Sequence, residues 1–401
     1  MPKKILFLGA ASTQMPPLRY AREQGHHVIT CDFLPANPGH ALANESYNVS
    51  TTDKNAVLDL ARRLKIDAIV AYASDPAAPT AAYVAEQMGL PGNPYQSVLT
   101  LARKDLFRAF LKEHGFNVPR SQSFYDCEQA RAWLNEIGVP VFVKPVDSSG
   151  SKGVTRLADP AKFGEAFEHA MVFSREKKVV VEQAIERVGY QIDSDIFFHE
   201  GRLKFWIWGD QHQDINCHKF APIGISFPTS LAEKIQTTAA AQISAIVEKL
   251  GFKFGAFNVE FIVDGAGEVW VIEIGPRNGG NLIPEVIRYV TEVDLIKYTV
   301  DAALGLDCSG LVMKPAYGYW SSYLVHSMKK GTFKNLWLSE RIKSKIIEQD
   351  IWVKSGDEVE KYLGSNHTLG TMILKFESMA EMLEMVDNME NDIRVTCNES
   401  S

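Results

Sequence analysis

Long hydrophobic runs are missing from this chain. Nowhere do about 18 apolar residues follow one another, so no segment is expected to span a membrane as a helix. Cysteine is scarce, with five in 401 residues. Cys31, Cys127, Cys217, Cys308 and Cys397 are widely spaced and never in a C-x-x-C pair, which argues against a disulfide framework and against a zinc module. A reducing, cytoplasmic compartment is the expectation. Excess charge is small: 42 Lys and Arg against 49 Asp and Glu leave a formal −7, with no long block of either sign. Bulk attraction to nucleic acid or to an anionic membrane is therefore not expected. No internal repeat or low-complexity tract is visible.

What is present is an ordinary globular composition, 46% hydrophobic and 10% aromatic. At roughly 150 residues per domain the chain holds two or three domains, each able to bury a core without staples. The start, MPKKILFLGAAS, imitates a signal peptide, but its apolar stretch is short and reads better as a first β-strand. From Lys4 short apolar runs (5–8, 28–31, 68–71) alternate with helical stretches, the pattern of βαβ units and a parallel sheet covered on both faces. Its first turn, Gly9-Ala10-Ala11-Ser12, lacks the G-x-G-x-x-G spacing, so dinucleotide binding is unsupported. Ligands dock at the carboxyl edge of such sheets, which makes Gly9 and the Ser74-Asp75 turn substrate-side candidates. A tight turn and a helix cap explain them equally well.

After Pro94 the texture becomes α+β. The expected organisation is α/β and α+β multidomain: a Rossmann-like domain over 1–96, a central module over 97–310 with a lid at about 118–185, and a small β-rich lobe over 311–401. Within the central module FNVEFIV and EVWVIEI flank Asp264-Gly265-Ala266-Gly267 and read as a hairpin. Glu260 and Glu273 lie inside these apolar strands, where an ionised carboxylate is costly without compensation. With a two-residue loop at Ala266-Gly267 the two stand directly opposite, Cβ atoms roughly 4.5–5.5 Å apart. Like charges that close call for a cation, and oxygen-only ligands suit Mg²⁺. A lone strand Glu is more often salt-bridged or solvated; here two coincide on one face, with Arg277 four residues beyond.

A second constellation is VFVKPVDSSGSKGV. Lys144 ends an apolar strand and needs an anionic partner, while the serine-glycine loop after it offers N–H groups and hydroxyls to phosphate oxygens. The P-loop pattern is absent, and a Gly/Ser loop alone is commonly a hairpin turn. The VVVEQAI run ends a strand and read alone carries no function.

In this order, Lys104 in RKD, VKP with its loop, VEQAI, the Glu260/Glu273 pair and Glu273-x-x-x-Arg277 resemble the ATP-grasp superfamily over about residues 1–310. The tail is similar to the C-terminal lobe of its carboxylate-amine ligase branch. The resemblance implies ATP and Mg²⁺, with Mn²⁺ as a substitute. Lys104 and Lys144 would contact ATP phosphates, and Ser151, Lys152 and Gly153 would close over them. Glu182 would accept from the adenine amino group, with Ala184 and Ile185 beside the purine. Glu260 and Glu273 would hold the metal, and Arg277 would steady the transferred phosphoryl group. Two departures stand out: Gln191 replaces the usual ribose-binding Glu, and Gly275 replaces an Asn that ligates a second metal, a place Asn278 or water could fill. His218, Asn278 and Gly280 are acceptor-site candidates.

The implied activity joins a small-molecule carboxylate to an amine through an acyl phosphate, releasing ADP and phosphate. Alternatives are purine-pathway or carboxylase-like chemistry on bicarbonate, formate or a sugar-phosphate amine, and a non-catalytic nucleotide-binding regulator. A homodimer is the base-rate expectation.

Overall fold

The computed structural model describes residues 1–214, 216–217 and 220–398. The N-terminal sheet is parallel: Lys4–Leu8 lies between His27–Cys31 and Ala68–Ala71, and Glu45–Tyr47 adds outside His27–Cys31. Side chains alternate across a strand, so the first strand serves two cores. Leu6 and Leu8 pack on helices Lys54–Leu64 and Ala78–Met88 through Val57, Ala61 and Val84. Ile5 and Phe7 pack on Leu18 of helix Met15–Glu23 and on Ile296 and Val300 of helix Leu295–Ala303. A late segment of the chain thus covers one face of the first sheet.

The segment expected as a lid forms a four-stranded sheet in the order Ser121–Phe124, Val179–Gln183, Val141–Pro145, Thr155–Leu157, antiparallel throughout. Helices Cys127–Ile137 and Phe163–Phe173 bury Leu134, Phe163 and Phe167 against its Val141, Val143, Val179 and Val181.

The central antiparallel sheet runs Val269–Gly275, Gly255–Val263, Gln191–His199, Gly209–Gln213, Pro222–Phe227, Tyr319–Val325, Gly370–Phe376, Ile346–Ile351. Helix Glu233–Lys249 closes one core through Ala239, Ile243 and Ile246 against Ile192, Phe257 and Phe261. The segment after 311 shares this sheet's hydrogen-bond ladder, because three of its strands continue from Pro222–Phe227. Gly331–Leu338, Glu358–Val359 and Ile393–Asn398 form a separate small sheet. All five cysteines are free, and among the described residues no helix is long and apolar enough to cross a membrane.

Candidate nucleotide and metal site

Lid, central sheet and Rossmann edge enclose a cavity of about 390 Å³, within the range of small-molecule sites. Phe142, Val154, Ile185, Ile262 and Ile272 give it apolar walls, and Lys104, Lys144, Ser148–Ser151 and Arg277 line it with cations and hydroxyls.

Glu260 and Glu273 face each other across the hairpin, although by a different route from a two-residue loop. Val263 pairs with Val269, and Asp264 N–H donates to the Glu268 carbonyl at 3.1 Å, so the turn is wider. A bulge then inserts Ile272: Phe261 pairs with Val271, and Glu260 with Glu273. The extra residue restores the register that brings both carboxylates to the cavity. Burial, with Asp193 and Glu273 nearby, holds the Glu260 carboxyl well above its ordinary range. Gln191 Nε2 donates to Glu260 at 2.6 Å, and Lys104 Nζ lies 3.2 Å from Glu273. The site therefore holds two opposed carboxylates, relieved by the Gln191 amide, the Lys104 ammonium and the charge of nearby Arg277. Among the described residues no three His, Cys, Asp or Glu side chains converge to hold a metal alone. That donor set suits Mg²⁺, which takes one or two carboxylates and completes its shell with water and substrate phosphate.

Lys144 is buried and paired with Glu182, which Arg108 also holds at 2.9 Å. Burial opposes ionisation of Glu182, yet Arg108 and Lys144 together bring it down to about 2. Burial lowers the Lys144 ammonium, with Glu182 offsetting part of the loss, so an added phosphate charge would be welcome there. The Glu182 carboxylate thus pairs with two cations and is not among the residues that line the cavity. Ala184 N–H donates to the Pro140 carbonyl at 3.1 Å, whereas Ile185 does reach the cavity wall.

In the serine-glycine loop, Ser151 lines the cavity and its hydroxyl donates to the Phe220 carbonyl at 3.1 Å. Lys152 points to solvent, and Gly153 packs on Phe173 with a φ of +75°. Asp147 moors the start of the loop by accepting from Ser174 Oγ at 3.0 Å and Glu176 N–H at 2.9 Å.

Arg277 makes a bidentate pair with Asp75 of the Rossmann edge, Nε–Oδ1 2.7 Å and Nη2–Oδ2 2.6 Å. This pair accounts for Gly275: a Cβ there would stand 2.7 Å from Asp75 Oδ1 and 3.1 Å from Arg277 Cζ. Asn278 is buried and is not among the residues lining the cavity; its amide donates to Asp195 at 3.1 Å and accepts from Thr299 at 2.7 Å. Gly280 lines the cavity, and His218 lies outside the described residues. Gly9 is packed by its own chain: Gln14 fills the turn, donating to the Leu8 and Tyr72 carbonyls.

Three neighbours escaped sequence reasoning. Asp193 lines the cavity, and burial raises it to about 6 despite the hydrogen bond from Asn258. Asp195 is buried and raised to about 7, while it accepts from Gly279 N–H at 2.7 Å and so fixes the turn carrying Gly280. Both sit in the strand Gln191–His199, buried at every position between its ends, but its polar start QIDSD lacks the apolar setting that marked Glu260. Arg108 had no such signal either, being one basic residue on an amphipathic helix.

A parallel-sheet domain leading into two antiparallel sheets that clasp a cavity of cations and paired carboxylates has the charges that phosphoryl transfer calls for. Residues 137–285 match the ATP-grasp domain model. It is 26% identical over 298 residues to formate-dependent phosphoribosylglycinamide formyltransferase of Erythrobacter litoralis, covering 73% of this chain and 75% of that protein. It is 26% identical over 278 residues to the uncharacterized protein y4rH of Sinorhizobium fredii, covering 66% of this chain but only 55% of the relative. The fold is shared with L-amino acid ligase from Bacillus licheniformis (TM-score 0.82, 19% identity, 99% of both chains) and with phosphoribosylglycinamide synthetase from Anaerococcus prevotii (TM-score 0.76, 21% identity, 99% and 100%).

Proposed function

We propose that the protein is an ATP-dependent, ADP-forming carboxylate-amine ligase. The observation that carries this is the opposition of Glu260 and Glu273 in a cavity also lined by Lys104, Lys144 and Arg277. Glu260 and Glu273 would hold Mg²⁺, which when bound neutralises phosphate charge. Lys104 and Lys144 bind phosphate oxygens, the Ser148–Ser151 backbone follows them, and the lid excludes water. Arg277 orients the carboxylate for attack on the γ-phosphorus; ADP departs, an amine attacks the acyl carbonyl, and phosphate leaves as the amine loses a proton. A carboxylate has no adequate leaving group at neutral pH, and phosphorylation supplies one. Incubation with Mg-ATP, pooled carboxylates and amines is expected to yield ADP and phosphate. AMP and pyrophosphate would sink the mechanism.

The match to formate-dependent phosphoribosylglycinamide formyltransferases favours one second reading, activation of formate for a sugar-phosphate amine. ADP release that depends on formate and a sugar-phosphate amine distinguishes it. The proposal extends to a cytoplasmic setting, supported by five unpaired cysteines, and to a homodimer, which light scattering checks.

A further inference from the structure

Among the charges lining the cavity, Asp75 and Arg277 are alone in joining the Rossmann edge to the central module, and each satisfies the other through two hydrogen bonds. Their side chains are 16% and 10% exposed, so neither is solvated well enough to stand alone. Space around them is kept by small residues. Gly275 leaves room for the Asp75 carboxylate, and Gly280 brings its backbone to Ala73, where a Cβ would be 3.7 Å from the alanine methyl. Ala73 and Asn281, both lining the cavity, hold φ angles of +49° and +57°, a conformation that asparagine tolerates but that is uncommon for alanine.

An incoming carboxylate that takes Arg277 must displace Asp75 and strand its charge. An incoming ammonium that takes Asp75 strands Arg277. A molecule carrying both groups on one carbon replaces both partners and leaves neither unpaired. We infer that Asp75 and Arg277 form a receptor for a zwitterionic α-amino acid, whose carboxylate is the one activated. This rests on the ligase reading. It assigns Asp75 the substrate ammonium, Arg277 the substrate carboxylate, and Gly275 the space in which they part. Formate, without an ammonium, would leave Asp75 unsatisfied.

The test is isothermal titration of the full chain, saturated with Mg²⁺ and a non-hydrolysable ATP analogue, with the twenty amino acids, their N-acetyl derivatives and their des-amino acids. At least one amino acid should bind, with its two analogues weaker by about tenfold or more. Asp75→Asn should abolish that preference by weakening the amino acid while leaving the des-amino acid unchanged or tighter. Failure of every amino acid to bind, equal affinity for the analogues, or a variant that weakens all three ligands alike, as a mere prop for Arg277 would, overturns the receptor. Because binding is read without turnover, an amino acid that binds with this preference but supports no ADP release upholds the receptor and removes the ligase reading. ADP release with des-amino acids alone removes the receptor and keeps the ligase.

Discussion

One carboxylate, Glu182, neutralises two buried cations, and its ionisation is tied to the stability of the fold. Its folded value of about 2 lies below the ordinary 4.5. A depressed carboxyl contributes fully above its unfolded value and loses that contribution as pH falls through the folded one. Stability should therefore drop by about 3 kcal/mol as pH falls from 4.5 to about 2. Urea midpoints of the wild type and Glu182→Gln, compared across that window, should converge toward the acid end; parallel curves contradict the pairing. At neutral pH Glu182→Ala leaves Arg108 and Lys144 facing each other and should cost about 3–5 kcal/mol. Glu273 differs in kind. Glu273→Gln removes the oxygen proposed to hold the metal at the cavity wall without uncovering core, so Mg-dependent ADP release should fall by about 10²-fold or more while the urea midpoint stays within about 0.5 kcal/mol of the wild type. Unchanged turnover refutes the metal assignment.

The hairpin at Glu260 and Glu273 shows how far pattern reading reaches at the level of elements. Both strands were legible from their β-branched and aromatic runs, but the two-residue loop expected to set their register is a wider turn, and the two carboxylates stand opposite only because of a bulge. The bulge at Ile272 was not legible, because an inserted residue leaves no mark in a sequence that stays apolar through it. Asp75 belonged to a recognisable turn, but its partner lies 202 positions away, and only the assembled fold joins them. The same limit hid the fate of the last ninety residues. Their strands read as a small lobe, yet Tyr319–Val325 docks on Pro222–Phe227 so closely that a Cβ on Gly224 would stand 2.3 Å from the Ser322 carbonyl oxygen. Gly224→Ala should force these strands apart and cost about 1–3 kcal/mol, read as a lower urea midpoint; a neutral result contradicts the close pairing.

At the scale of the whole molecule, the first sheet is not finished by the first domain's own residues. Of its two faces, one is covered by helices Lys54–Leu64 and Ala78–Met88, and the other is shared between Met15–Glu23 and Leu295–Ala303. The second cover comes from beyond the cavity-lining turn at Gly280, so the chain returns to the N-terminal sheet after building the site. Tyr20 Oη donates to Asp301 at 3.1 Å, and Asn93 Nδ2 to the Phe254 carbonyl at 2.7 Å, across the same junction. The return sets Asp75 against Arg277 by continuous packing. A fragment of residues 1–96 would expose Ile5, Phe7, Val28 and Val70 wherever Ile296 and Val300 now cover them, an apolar patch that small domains tolerate poorly. Expressed alone, that fragment should bind a hydrophobic dye and melt without a sharp transition by circular dichroism, whereas in the full chain the N-terminal sheet should unfold together with the central one. A fragment with a sharp transition of its own, reappearing as a separate early step in the full chain, would show that the site is bridged by two independent bodies and that the contact between Asp75 and Arg277 is free to open with them.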